Sequence, residues 1–284
     1  MQSGRTMVLL KLIRVKESVF ALPLAYIGVL LVAEESPPLS VWFFVTTALI
    51  SARTVGMCLN RIFDKDIDAK NPRTANRMLP SGEISVSRVV GYTIGFALLF
   101  VFSAYMLNTL CFYLSFLALF LLVTYSLVKR VSFTSHLYLG LTEACAPIGG
   151  ALAVYPHFSP TALLMGLYVL LWIAGFDIIY SCQDFTFDKQ NKLYSIPVKF
   201  GLKKALIISS LLHATAVLIL FITGILVRAN LFYWLCLLIA CGFFIWQHAI
   251  VSQKNLTRVN AAFFTANRNI SLSVFAAFVL NFIL

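Results

Sequence analysis

Long apolar runs dominate this sequence and constrain its fold more than any other feature. Nine of them are long enough, or nearly so, to cross a hydrocarbon core of about 30 Å as α-helices. With 60% hydrophobic and 12% charged residues, the chain carries more apolar surface than a water-soluble core of its size buries. We therefore expect an all-α integral membrane protein, with one transmembrane domain over residues 1–284. The predicted spans are 18–33, 39–59, 89–107, 110–128, 137–155, 161–181, 205–227, 230–250 and 269–284.

Basic residues are distributed unevenly among the predicted loops. With nine spans, the N-terminus and the even-numbered loops lie on one side, and they hold 20 of the 22 Lys and Arg residues. The exceptions are Arg53, inside a span, and Arg228. Positive charge marks the cytoplasmic side, so we expect a cytoplasmic N-terminus and a C-terminus on the opposite side. We separately expect the membrane to be a bacterial inner (plasma) membrane. The net charge of +11 then reflects topology, and no nucleic-acid partner is expected.

A polar stripe follows the second span. Asn60, Asp64 and Asp68 are four residues apart, and residues at this spacing lie about 40° apart around an α-helix. Two carboxylates on one helix face repel each other unless a cation lies between them. Oxygen ligands of this kind suit Mg²⁺, which usually takes one or two carboxylates plus substrate phosphates. The alternative is a solvated helix end with ordinary surface acids.

A second motif repeats this spacing 120 residues later, where Tyr180, Asp184 and Asp188 follow the sixth span. The two motifs open the two longest predicted loops, roughly 61–88 and 182–204. Both spans enter these loops in the same direction, which predicts parallel pseudo-repeats, roughly 18–155 and 161–284. Two such stripes favour metal binding over surface acids. Polar groups at one end of an apolar bundle fit a Mg²⁺-diphosphate headgroup on a long apolar tail.

Arg53 lies within the second span, seven residues before Asn60 and on nearly the same helix face. An arginine inside the membrane is expensive and usually faces a cavity or a partner. A structural pair with Glu143, the only acid well inside the fifth span, is one interpretation. The other is a clamp for a carboxylate, which suits the guanidinium fork.

Asp177 precedes Asp184 by the same seven residues. Its carboxylate could stabilise a cation near a reacting centre, or it could be a helix-end acid that pairs with a loop lysine.

The basic loop residues have two interpretations. All of them satisfy the positive-inside bias: Arg73, Arg77, Lys129 and Lys199. Arg73 and Arg77 are also spaced to share a face and clamp a departing diphosphate. The four histidines have no ligand spacing and the six cysteines form no CxxC pair; both sets are interpreted as structural.

Together these motifs resemble the UbiA superfamily of membrane prenyltransferases along essentially the whole chain. The resemblance rests on N-x3-D-x3-D (Asn60 to Asp68), a basic loop from Arg73 to Gly82, Y-x3-K-R (Tyr125 to Arg130), D-x2-Y-x3-D-x3-D (Asp177 to Asp188) and the segment from Ser195 to Gly201. Met78 stands where the family often has proline. The nine predicted spans agree with the family fold.

The resemblance implies a site at the cytoplasmic end of the bundle that binds polyprenyl diphosphate with Mg²⁺. Asp64 and Asp68 would hold one ion, and Asp184 and Asp188 another. Asn60 and Asp177 would lie near the allylic cation. The implied substrate-binding residues are Arg53 for the acceptor carboxylate, Arg73, Arg77 and Lys129 for the diphosphate, and Tyr125 and Tyr180 from the two motifs.

Two acceptors are compatible with the resemblance. The chain is similar to 4-hydroxybenzoate polyprenyltransferases of ubiquinone synthesis and to a branch that prenylates a dihydroxynaphthoate in menaquinone synthesis. Prenylation of haem offers no reason for a carboxylate clamp. A membrane transporter would need charges along a through-path, and the non-cytoplasmic half has almost none. A head-group phosphotransferase would need a D-x2-D-G-x2-A-R block, which this chain lacks.

Overall fold

The computed structural model describes Leu12 and residues 22–284. Regular structure in this part is helical, apart from an isolated bridge between Ser252 and Asn255. The helices are α1 (Leu22–Val32), α2 (Leu39–Lys70), α3 (Val86–Leu107), α4 (Thr109–Val128), α5 (Ser135–Val154), α6 (Pro160–Ser181), α7 (Phe185–Gln190), α8 (Ile196–Phe200), α9 (Leu202–Leu226), α10 (Leu231–Ala249) and α11 (Asn267–Ile283). A 3₁₀ turn, Cys182–Asp184, joins α6 to α7, and a π-helical turn, Ala261–Ala266, precedes α11.

Eight helical segments in residues 22–284 are long and apolar enough to cross a membrane, and they coincide with the second to ninth predicted spans. Their outward faces carry large exposed apolar side chains, such as Leu98, Phe120 and Leu238, which suit contact with lipid. The all-α integral membrane fold is thus confirmed. The first predicted span, 18–33, lies partly outside the described residues, and its described part is α1, with 11 residues. The nine-span count stays a prediction.

Helix α2 is longer than a membrane span requires. Its 32 residues extend about 48 Å at 1.5 Å per residue, whereas a hydrocarbon core is about 30 Å thick. The apolar part, residues 39–59, is sufficient to span that core. The remaining turns continue the helix through the first polar motif, as the four-residue spacing predicts.

The chain divides into two compact units. One contains Pro38–Leu127, and the other contains Pro23–Pro37 and Val128–Leu284. In the first unit, α2 packs against α3, and α4 also contacts α2. In the second unit, α6 packs between α5 and α9, while α10 packs against α11. The parallel pseudo-repeats predicted over roughly 18–155 and 161–284 stay a prediction.

A close contact between backbones explains the composition of α5. A Cβ atom on Gly150 would collide with the carbonyl of Ala25 in α1, and one on Gly28 would collide with the carbonyl of Pro147. Small residues let membrane helices approach in this way and gain van der Waals contact. Pro147 and Gly150, which lower the apolar character of the fifth predicted span, therefore lie where a continuous helix contacts α1.

Candidate functional site

The first motif lies on the last turns of α2. Asn60 Nδ2 donates to Asp64 Oδ2 at 2.9 Å and to Ser126 Oγ of α4 at 3.4 Å. Asp64 and Asp68 are buried, with exposed fractions of 2% and 5%. The predicted stripe is therefore present. Its burial excludes the alternative of ordinary surface acids for these two residues.

Helix α4 contacts α2 one turn before the motif. The Tyr125 hydroxyl donates to the Gly56 carbonyl at 3.0 Å. Gly56 has little space around it, because a Cβ atom there would come within 2.9 Å of the Leu122 side chain. This close approach places Tyr125 and Ser126 beside Asn60, so the Tyr125 predicted from the Y-x3-K-R motif lies next to the first motif.

The chain beyond α2 folds back onto the motif in a series of turns. Arg77 Nη1 donates to both Asp68 carboxylate oxygens, at 2.8 and 2.7 Å, and Arg61 Nη1 lies 3.9 Å from Asp68 Oδ2. Thr74 Oγ1 donates to the Asp68 carbonyl at 3.0 Å. A buried carboxylate is costly unless it is paired, and these contacts compensate for the burial. Arg73, the other predicted loop cation, has an exposed side chain.

Arg53 lies on the same helix as this motif and is half-buried. Because α2 is continuous from Leu39 to Lys70, the seven residues between Arg53 and Asn60 place the two side chains about 20° apart around the axis. Arg53 and Asn60 therefore lie on nearly the same face of α2, as the sequence predicted. The choice between a pair with Glu143 and a role in binding a ligand stays a prediction.

The second motif has a different backbone. Helix α6 ends at Ser181, the 3₁₀ turn Cys182–Asp184 follows, and α7 begins at Phe185. Asp184 and Asp188 are half-buried. The Asp188 carbonyl accepts from the Leu193 amide at 2.9 Å, which returns the chain toward the motif. The same sequence spacing therefore produces a buried stripe on one continuous helix and a more exposed pair across a helix break.

Aromatic rings pack against the start of the second motif. The Tyr180 ring centroid lies 4.2 Å from that of Phe263 in the π-helical turn, and Phe263 meets Phe176 edge-on at 5.1 Å. π-Helical turns occur frequently at functional sites. The Tyr180 predicted from the second motif is thus held in an aromatic cluster.

Asp177 is paired with a histidine and not with the loop lysine considered from the sequence. His136 Nδ1 lies 2.7 Å from Asp177 Oδ2, and His136 Nε2 accepts from the Ile196 amide at 3.3 Å. The contact joins the beginning of α5 to the last turn but one of α6 and to the first residue of α8. Sequence reasoning missed His136, because a separation of 41 residues from Asp177 leaves no spacing signal.

The segment after the second motif, residues 194–201, contacts the loop that contains Lys129. The Lys129 carbonyl accepts from the Tyr194 amide at 2.9 Å. The Ser195 hydroxyl caps α8 by accepting from the Val198 amide, and Gly201 ends it with a φ of 81°, a conformation that favours glycine. Helix α8 is therefore encoded locally by the Ser195 to Gly201 segment.

The first motif fits a divalent metal by the chemistry of its donors. Asp64 and Asp68 are successive carboxylates on one helix face, with Cβ atoms about 5–6 Å apart at this spacing, and Asn60 adds an amide. Mg²⁺ typically takes only one or two carboxylates and completes its shell with water and substrate phosphates. Within the described residues, no group of three or more His, Cys, Asp and Glu side chains forms a protein-only cage. Asp184 and Asp188 supply the corresponding carboxylates in the second motif.

Known proteins resemble this chain over most of its length. A 4-hydroxybenzoate octaprenyltransferase from Francisella tularensis subsp. novicida is 30% identical over 257 residues, which are 90% of this chain and 89% of the relative. A protein of the same name from Tolumonas auensis is 28% identical over 244 residues, 86% of this chain and 85% of the relative.

Solved structures share the fold. The apo structure of a UbiA homologue from Aeropyrum pernix matches with a TM-score of 0.85 and 31% identity, over 93% of this chain and 98% of that chain. A UbiA homologue from Archaeoglobus fulgidus, bound to GPP and Mg²⁺, matches with a TM-score of 0.77 and 19% identity, over 98% and 100% of the two chains.

The family model of the UbiA prenyltransferase family matches residues 21–271. This stretch contains the buried stripe on α2, the second motif and the segment that follows it. The chain therefore belongs to the UbiA prenyltransferase family.

Proposed function

We propose that the protein transfers a polyprenyl group from polyprenyl diphosphate to the ring of a hydroxylated aromatic acid, in a reaction that depends on Mg²⁺. The observation that carries this proposal is the buried stripe of Asn60, Asp64 and Asp68. Buried carboxylates need cations. Arg77 and Arg61 serve Asp68 in the free protein, and Mg²⁺ that arrives with the diphosphate would serve both aspartates during the reaction. The curated relatives, named 4-hydroxybenzoate octaprenyltransferase, support the reaction class.

The aspartates of the two motifs are the proposed metal ligands: Asp64 and Asp68 in the first, Asp184 and Asp188 in the second. When bound, Mg²⁺ neutralises the diphosphate and makes it a better leaving group. Arg73, Arg77 and Lys129 bind the diphosphate by charge-assisted hydrogen bonds. In this proposal Arg77 exchanges its contact with Asp68 for one with the diphosphate.

Bond breaking and bond making then follow in a dry environment. The allylic C–O bond breaks with its electron pair on the diphosphate, and the ring carbon ortho to the acceptor hydroxyl attacks the allylic carbon. The ring carbon then loses its proton to the departed diphosphate, which restores aromaticity. The Asp177 carboxylate, the Asn60 amide oxygen and the Tyr125 and Tyr180 rings stabilise the allylic cation by negative charge, partial negative charge and π-electron density, respectively. Apolar helices exclude water that would otherwise capture it.

Arg53 is the proposed anchor of the acceptor. A guanidinium binds a carboxylate with two parallel hydrogen bonds, and both 4-hydroxybenzoate and a dihydroxynaphthoate carry that group. Binding the acid at a fixed distance from the stripe orients its ring toward the allylic carbon. The same anchor serves ubiquinone and menaquinone precursors, so the acceptor is decided by the space around the ring.

The test is an assay with purified protein in detergent, Mg²⁺ and a labelled allylic diphosphate. 4-Hydroxybenzoate and a dihydroxynaphthoate are offered separately, with EDTA as the control. We expect one acceptor to be prenylated and EDTA to stop the reaction. If neither acceptor is prenylated although the diphosphate binds, the acceptor class proposed here is wrong.

The proposed location is the bacterial inner membrane, with the motifs and the N-terminus in the cytoplasm and the C-terminus outside. Cysteines introduced at the exposed residues Glu34 and Lys189 test the orientation in a variant without the native cysteines. In intact spheroplasts, a membrane-impermeant maleimide should label Glu34→Cys at once and Lys189→Cys only after permeabilisation. The reverse pattern would invert the proposed topology.

A further inference from the structure

His136 is a buried histidine whose two ring nitrogens are both used. The exposed fraction of the residue is 3%. Its Nδ1 lies 2.7 Å from Asp177 Oδ2, and its Nε2 lies 3.3 Å from the backbone nitrogen of Ile196. All three residues belong to the same compact unit.

The contact with Ile196 determines which nitrogen of His136 carries the proton. A backbone N–H can only donate, so Nε2 must present its lone pair to Ile196. The proton of the neutral imidazole is then on Nδ1, which donates to the Asp177 carboxylate. One backbone amide thus selects the tautomer that orients Asp177.

Ile196 is held in place by the docking of residues 194–201 on the 129–136 loop. Besides the hydrogen bond from the Tyr194 amide to the Lys129 carbonyl, the Phe133 and Phe200 rings meet edge-on at 5.7 Å. Lys199 Nζ also lies 3.4 Å from the centroid of the Phe133 ring. The orientation of Asp177 is therefore linked to the docking of the segment that follows the second aspartate motif.

We propose that His136 is a positioning residue for prenyl transfer: it fixes the Asp177 carboxylate, in a tautomer that the docked 194–201 segment selects. This role rests on the proposed function, in which Asp177 stabilises the allylic cation. His136 itself does not touch the substrate. Its contribution is to hold one carboxylate oxygen so that the group does not reorient as positive charge develops.

Two substitutions of His136 separate its two hydrogen bonds. In His136→Asn, the amide nitrogen takes the place of Nδ1 and can still donate to Asp177. In His136→Gln, the amide oxygen takes the place of Nε2 and can still accept from Ile196, while the donor to Asp177 is lost. We expect kcat to fall about tenfold or more in His136→Gln, the usual effect of losing a hydrogen bond to a charged group, and to fall much less in His136→Asn. KM for the prenyl diphosphate should change little in both.

A double-mutant cycle tests whether His136 acts through Asp177. In an Asp177→Asn background, His136→Gln should reduce kcat by less than about twofold, because the two residues act as a unit. A tenfold loss in both backgrounds would overturn the proposal. So would equal losses of kcat in His136→Gln and His136→Asn accompanied by equal falls in Tm, which would identify His136 as a purely structural anchor.

Nuclear magnetic resonance of protein with ¹⁵N-labelled histidine supplies a readout independent of turnover. The expected spectrum has His136 protonated on Nδ1 and unprotonated on Nε2. An enzyme that prenylates its acceptor but carries the His136 proton on Nε2 would contradict the positioning role alone. A wild-type protein that prenylates no aromatic acid would contradict the proposed function, and the role of His136 in it.

Discussion

The guanidinium of Arg77 donates through Nη1 to both carboxylate oxygens of Asp68, at 2.8 and 2.7 Å. Asp68 ends the stripe on α2, and Arg77 lies nine residues further along the chain. The ion pair therefore ties the loop after α2 to the helix that carries the first motif. Because the Asp68 and Arg77 side chains are only 8% and 20% exposed, solvent screens the pair weakly.

Replacement of Arg77 by alanine should destabilise the metal-free protein. It leaves the buried Asp68 carboxylate with Arg61 at 3.9 Å as its nearest described cation, and we expect a loss of about 2 kcal/mol in the free energy of unfolding. Thermal unfolding in detergent with EDTA measures the effect. Lys70→Ala, at an exposed position of the same helix end, is the control and should keep the wild-type Tm. An unchanged Tm in Arg77→Ala would show that the pair does not hold the loop.

Asp64 and Asp66 provide a matched pair for the metal hypothesis. Asp64 is buried on the stripe, whereas Asp66 is exposed and lies about 200° around the helix from it. Asp64→Asn should reduce prenyl transfer at least about a hundredfold, because it removes a carboxylate ligand of the proposed Mg²⁺, whose charge stabilises the departing diphosphate. Asp66→Asn should retain wild-type turnover. Similar activities of the two variants, measured at saturating Mg²⁺, would remove Asp64 from the metal site.

Replacement of Arg53 by glutamine should affect the acceptor and not the prenyl donor. We expect KM for the aromatic acid to rise about tenfold or more, with kcat at saturation largely retained, because the lost contact is one to bound acceptor. The methyl ester of the same acceptor serves as the substrate control. Wild-type enzyme should prefer the acid strongly, and the variant should not. An equal preference for the acid in both proteins would mean that Arg53 does not bind the carboxylate.

Gly150 and Gly149 distinguish a close helix contact from general helix propensity. A Cβ atom on Gly150 would collide with the Ala25 carbonyl, whereas no described atom lies within 4 Å of one on Gly149. Gly150→Ala should force α1 and α5 apart and cost about 1–3 kcal/mol. Gly149→Ala should be neutral or slightly stabilising, since alanine is the better helix former. Comparison of the two Tm values in detergent checks this, and equal values would contradict the close contact.

The spacing of residues along the sequence predicted those side-chain arrangements that lie within a single helix. The four-residue interval from Asn60 to Asp68 predicted a shared face, and the continuous α2 with its hydrogen bond from Asn60 to Asp64 confirms that geometry. The all-helical membrane fold was likewise predictable, because each apolar run carries its own length and hydropathy.

Contacts between distant segments had no such signal. His136 and Asp177 are 41 residues apart, and only the packing of α5 against α6 places their side chains together. Pro147 and Gly150 lowered the apolar character of the fifth predicted span, although both contact α1. Hydropathy measures affinity for lipid and contains no information about which residues must be small.

The 3₁₀ turn at Cys182–Asp184 makes the two motifs unequal. Relative to a continued α-helix, three residues of 3₁₀ geometry rotate the chain by about 60° more and advance it by about 1.5 Å more. In the first motif, both carboxylates lie on consecutive turns of one continuous helix. In the second motif, Asp184 ends the 3₁₀ turn and Asp188 lies on α7, and both residues are half-buried. A chain with two copies of either motif would therefore not present its carboxylates at the same angles and heights as this chain does.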